Sequence, residues 1–146
     1  MPTPYDAIIN LRERETDEAA EVMRTAAEHV AEIETRIANA RESLVREAAI
    51  AVQDLSVRSD LYWLRMQGEI AELETLLAAA LAELDARREV LLQLVAETKA
   101  LEQVAQNYRE AQRLAEERAA QAQVDDRIGF LHGARLRAAR SKELAA

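Results

Sequence analysis

Apolar residues recur along the first third of the chain in steps of three and four. The stripe runs through Ile8, Leu11, Ala19, Val22, Ala26, Val30, Ile33, Ile37, Leu44, Ala48, Val52 and Leu55, with Glu15 and Arg41 as its polar members. These steps follow an eleven-residue repeat, which keeps one face aligned on a nearly straight or slightly right-handed helix. Upstream, Thr3 is placed to cap that helix, Pro4 suits its first position, and Asp6 sits near the positive end of the helix dipole. The pattern predicts a first helix over about residues 4–56, a rod of roughly 75 Å at the usual rise per residue.

The stripe breaks at SVRSD, residues 56–60, where Ser59 or Asp60 can cap a new helix. A second stripe then runs through Trp63, Met66, Ile70, Leu73, Leu77, Ala80, Leu84, Leu91, Leu94, Leu101, Ala105 and Tyr108, interrupted by Arg87 and Thr98. Its steps alternate three and four, the heptad of a coiled coil. No glycine or proline lies between Glu69 and Ile128, so the second helix is expected over about residues 62–128, after a turn at about 57–61. Gly129 and Gly133 open the last segment, 129–146, which reads as either helical or frayed, since each glycine weakens a helix by roughly 1 kcal/mol relative to alanine.

Two amphipathic helices joined by a short break fold most simply into an antiparallel hairpin. The expected class is therefore all-α, a single coiled-coil hairpin over residues 1–146 with a C-terminal overhang. Setting Leu55 against Trp63 places Ala48 near Ile70, Ile33 near Leu84, Ala26 near Leu91 and Ile8 near Tyr108. Trp63 is then a core residue at the turn end, and Tyr62, one step out of register, faces outward. Helix 1 ends near residue 110 of its partner, leaving the overhang beyond. A parallel self-associated rod with no turn is the rival arrangement.

Composition supports an extended helical protein over a globule. Aromatics make up only 3% of the 146 residues, charged residues 32%, and both prolines, Pro2 and Pro4, lie at the N-terminus. With no cysteine, disulfides and thiolate metal sites are excluded. The first ten residues do not read as a secretory signal. The longest apolar run, LLAAALA at 76–82, is far short of the roughly 18 residues a membrane span needs, so a soluble protein is expected. The net charge of −8 is uneven: residues 1–60 carry −6 and 61–120 carry −4, while 121–146 carry +2 through Arg127, Arg135, Arg137, Arg140 and Lys142. An acidic chain is a poor match for nucleic acid or an anionic membrane, and the basic end lacks the interleaved aromatics of single-strand binders.

No catalytic constellation is legible. His-Glu-x-x-His and Glu-x-x-His both fail, because the only histidines, His29 and His132, follow Ala26 and Gly129 by three positions. Three scattered glycines make no phosphate loop. Adjacent acids such as Asp17-Glu18, Glu116-Glu117 and Asp125-Asp126 diverge by about 100° on a helix and read as solvated faces. The chain is expected to be no enzyme and to need no cofactor or metal. The candidate partner-contact residues are Tyr62, Ile128, Phe130, Leu131, Arg135, Arg137 and Arg140. The basic end could dock on an acidic partner or simply form a soluble terminus.

The segment SDLYWLRMQGEIAELE, which opens helix 2, and the stretch KALEQVAQNYREAQRLAEERAA followed by VDDR and AR resemble the FliJ family of bacterial flagellar type III export, and the similar stalk proteins of virulence secretion systems. In that family the C-terminal stretch continues with an Asp-Glu pair, where this chain has Phe130-Leu131. The resemblance implies a cytoplasmic stalk, peripherally associated with the inner-membrane export apparatus. Such a stalk inserts into the hexameric ring of the export ATPase by the end carrying both termini. It further implies contact with the cytoplasmic domain of the export gate and with export chaperones. A homo-oligomeric coiled-coil scaffold without an ATPase partner is the alternative.

Overall fold

The computed structural model describes residues 1–53 and 60–145. Two helices account for nearly all of them: α1, Asp6–Gln53, and α2, Asp60–Ala145. No strand occurs among the described residues, so the chain is all-α as its periodicity predicts. Leu55, the candidate cap Ser59 and residues 57–59 of the expected turn fall outside the described residues, whereas Asp60 and Leu61, expected in that turn, already belong to α2. Gly129 and Gly133 do not break α2, which continues to Ala145. Packing divides the chain into two units, Ile9–Lys99 and Met1–Ile8 with Ala100–Ala146.

In the unit Ile9–Lys99, α1 and α2 run antiparallel. Arg12 near the start of α1 reaches Glu97 late in the unit (3.6 Å), and Arg41 near its end reaches Glu74 (2.9 Å). The core is a row of aliphatic side chains: Val30, Ile33 and Ile37 against Leu73, Ala80 and Leu84, flanked by Met23, Ala26, Ala27 and Leu77. Ile33, at 2% exposure, is its most enclosed side chain. Burying a side chain of that size stabilises by about 2 kcal/mol, which makes this row the main source of the unit's stability.

The stripe that α1 buries shares Ala19, Ala26, Val30, Ile33, Ile37 and Leu44 with the expected one and departs from it toward both ends. Ile9, Arg12, Thr16, Ala19, Met23, Ala26, Val30, Ile33, Ile37, Ala40, Leu44, Glu47 and Ala51 are all buried or half-buried. Those steps alternate three and four, a heptad rather than an eleven-residue repeat. Ile8, Leu11, Val22 and Val52, all on the expected stripe, are exposed. The reason lies in the partner. A stripe of period 3.5 on α2 can be followed only by a stripe of the same period on α1, since an eleven-residue stripe drifts away from it. Polar residues therefore occupy seam positions and are accommodated locally. The Thr16 hydroxyl donates to the Arg12 carbonyl oxygen (2.7 Å), and the Arg12 guanidinium binds Glu15 (2.8 Å) as well as Glu97.

On α2 the expected heptad holds from Met66 to Tyr108, except that Arg87 is exposed and pairs with Glu83 on its own helix (2.8 Å). The register differs from expectation by about one turn. Arg41, expected opposite Leu77, binds Glu74, and in the other unit Tyr5 rather than Ile8 meets the Tyr108 ring.

Candidate interaction surfaces

The unit holding both chain ends begins with a clasp. The Thr3 amide and hydroxyl both donate to the Asp6 carboxylate (2.7 and 2.6 Å), and the Asp6 amide donates to the Thr3 carbonyl oxygen (3.2 Å). The Asp6 carboxylate thus closes the reciprocal half of a capping box by accepting the Thr3 amide, while the Thr3 hydroxyl donates to that carboxylate instead of accepting from a backbone amide. From α2, the Arg109 guanidinium donates to the Met1 carbonyl oxygen (3.2 Å) and to Asp6 (3.4 Å). Beside them Tyr5 and Tyr108 pack edge to face, with ring centroids 6.1 Å apart. The Thr3 hydroxyl and then the Thr3 amide hold the Asp6 carboxyl below its ordinary value of 3.8, with Arg109 adding to the effect. The sequence marks Thr3 and Asp6 as a cap. The contribution of Arg109 was missed, because nothing in a single sequence tells which of many helical arginines faces the first turn.

Beyond Gln112 every described residue of α2 is exposed except Gly133 and Ala134. Here lie six of the seven expected partner-contact residues. Ile128 (59%), Phe130 (68%) and Leu131 (52%) are largely open to solvent. Arg135, Arg137 and Arg140 are exposed as well, and the Arg137 guanidinium donates to the carbonyl oxygen of Gly133 (3.3 Å). Helical spacing brings Ile128, Leu131 and Arg135 onto one face, and puts Phe130 and Arg137 together on another. The six therefore do not form one patch.

Tyr62, the seventh, belongs to the other unit. Contrary to expectation, it is half-buried while Trp63 is 50% exposed. The Arg65 guanidinium stands 5.6 Å from the centre of the Tyr62 ring, a cation–π contact within α2. Trp63 lines an open hollow with Leu44, Glu47, Ala48, Asp60 and Leu64. It stays half-open because the α1 stripe at this end is small or charged, at Glu47 and Ala51, and offers no deep socket. Val45, Ile50, Val52, Leu61 and Leu64 in the same unit are exposed too. Leu61 and Leu64 could have been read as outward-facing, since both fall off the heptad.

Among the described residues no group of three or more His, Cys, Asp or Glu is arranged to hold a metal ion, and no helix is long and apolar enough to cross a membrane. What the molecule offers chemically is surface: apolar side chains and guanidinium groups along the last part of α2, and apolar side chains with a half-open tryptophan near the start of that helix. Comparison with protein-family models, with curated proteins and with solved structures gave no match to this chain.

Proposed function

We propose that this chain is a non-catalytic stalk of a bacterial flagellar type III export apparatus. In this reading it occupies the hexameric ring of the export ATPase in the cytoplasm and links the ring to the cytoplasmic domain of the membrane export gate. Export chaperones are further partners. The observation that carries the reading is the last stretch of α2, an unbroken helix to Ala145 with almost every side chain presented to solvent after Gln112. A shaft inside a ring must offer contacts around its circumference, and a lone helix with apolar and cationic groups on several faces does so. The same stretch contains the end of one of the two segments that resemble the FliJ family, with the VDDR and AR that follow it.

The test is reconstitution. The purified chain should co-purify with the export ATPase and stimulate its hydrolysis, and a chain cut after about residue 115 should lose both effects while its remaining helices persist, their core lying upstream. Neither co-purification nor stimulation by the full chain would end the proposal. Stable filaments or tetramers of the chain, with no affinity for the ATPase, would favour the scaffold reading instead.

A further inference from the structure

The stretch from Glu110 to Lys142 is self-complementary, and we propose that it is a docking surface for a second copy of this chain, the two stretches pairing antiparallel. The first half of the stretch carries Glu110, Glu116, Glu117, Asp125 and Asp126 against Arg113 and Arg118, a net acidic balance; the second half carries Arg127, Arg135, Arg137, Arg140 and Lys142 with no acid among them. One helical face combines both halves. Glu110, Leu114, Glu117, Gln121, Val124, Ile128, Leu131, Arg135, Ala138 and Lys142 follow one another in alternating steps of three and four. Every one of them is exposed, including the apolar Leu114, Val124, Ile128 and Leu131. Such a face is a coiled-coil seam without a partner.

Antiparallel pairing with the two-fold axis beside Asp126 matches this face to itself. Val124 opposes Ile128 of the second copy and Ile128 opposes Val124, so four branched side chains meet at the centre. Leu131 lies over Gln121, and Leu114 over Ala138. Glu117 opposes Arg135 and Glu110 opposes Lys142, and each pair occurs twice, as an isologous interface requires. Parallel pairing sets Glu117 against Glu117 and Arg135 against Arg135, and like charges opposed across an interface are costly. Glu117 is paired with Arg113 on its own helix (2.6 Å), a bond it exchanges for or shares with Arg135 of the second copy. Antiparallel pairing also gives the stretch packing of its own. A lone helix weakened by Gly129 and Gly133 depends on propensity, to which each glycine contributes roughly 1 kcal/mol less than alanine.

The inference stands apart from the stalk reading, because it is decided with the purified full-length chain and no ATPase. Sedimentation should show a concentration-dependent monomer–dimer equilibrium that weakens as salt is raised, since exposed ion pairs are screened. Ile128→Asp should abolish the dimer while helical content is kept. One variant, Arg135→Glu with Lys142→Glu, makes the whole face acidic. A second, Glu110→Lys with Glu117→Lys, makes it basic. Each alone should dimerise at least about tenfold more weakly than the natural chain, the ratio expected for opposing like charges. Mixed in equal amounts, they should form a heterodimer at least as tight as the natural homodimer. A natural chain that stays monomeric at high concentration, variants that dimerise as well as the natural chain, or a mixture that does not pair would each overturn the proposal. Binding of an acidic peptide to a chain that shows no self-association would overturn it as well, and assign the surface to a different partner.

Discussion

Two stretches of α2 share a composition rich in Ala, Leu, Glu and Arg, yet they differ in where the bulky side chains stand. In Ile9–Lys99 the heptad positions hold Ile70, Leu73, Leu77 and Leu84, and all are buried or half-buried. Continued past Tyr108, the same positions hold Gln112, Ala115, Ala119, Ala122, Asp126, Gly129 and Gly133. The large apolar residues have moved to other faces, at Val124, Ile128, Phe130 and Leu131, where they are exposed. A heptad is therefore a local record of what covers a helix. When the covering helix ends, the seam fills with small and polar residues, and whatever apolar surface remains faces another way.

The sharpest way to break this comparison is to shorten one isoleucine in each stretch. Ile33→Ala removes the most enclosed side chain of the α1–α2 core and should cost about 3 kcal/mol in unfolding free energy, the usual toll of a cavity at a buried aliphatic site. Ile128→Ala should cost no more than about 0.5 kcal/mol in dilute solution, as exposed substitutions do. Urea denaturation followed by circular dichroism, at concentrations low enough to keep the chain monomeric, measures both. Comparable losses at the two sites would mean that Ile128 is covered within a single chain and would erase the distinction.

A smaller effect sharpens the same contrast. A methyl group built at Gly129 or Gly133 meets no neighbour within 4 Å, and neither glycine has a positive φ. Gly129→Ala and Gly133→Ala should therefore each stabilise the terminal part of α2 by roughly 1 kcal/mol through helix propensity. Amide exchange should slow locally between about residues 125 and 137 without a change in the protection of the Ile33 core. Slowing that spreads to the core would show the two stretches unfolding as one cooperative unit.

How much of this was legible differs from element to element for physical reasons. The α2 seam could be read because its strict alternation of three and four meets an apolar residue at nearly every step, whereas its exposed apolar neighbours Leu64, Leu76, Leu81 and Leu92 form no such series. On α1 the competition is close. Ile8 stands beside Ile9 and Val22 beside Met23, and the stripe that wins carries Arg12, Thr16 and Glu47. Only the period of the opposing helix breaks that tie, and no local pattern carries it. The missed register follows, because moving the pairing by about one turn leaves apolar residues facing apolar residues either way. Trp63 falls on the right period, but its exposure is decided by small and charged residues across the groove. The contact residues at Ile128–Arg140 were legible as exposed apolar and basic groups. Their division between two helical faces follows once the helix is known to run unbroken through both glycines.

The least disruptive probe separates the two units by pH. The Asp6 carboxyl is held below its ordinary pKa by the Thr3 hydroxyl and amide, so folding favours its ionised form. The sign follows from linkage: this contribution is complete above the unfolded value of about 4 and is lost as pH falls through the lower folded value. On acidification below about pH 4, the bonds from Thr3 and Arg109 to Asp6 should weaken, and the first turn of α1 should fray. Amide exchange at Tyr5, Asp6 and Ala7 would report it. In the unit Ile9–Lys99 the core around Ile33 is aliphatic, and its protection should change less over the same range. Asp6→Asn should reproduce the fraying at neutral pH and remove its pH dependence. A first turn equally protected at pH 3 and pH 7, with Asp6 or with Asn, would show that the Tyr5–Tyr108 contact holds the end of α1 without the carboxylate.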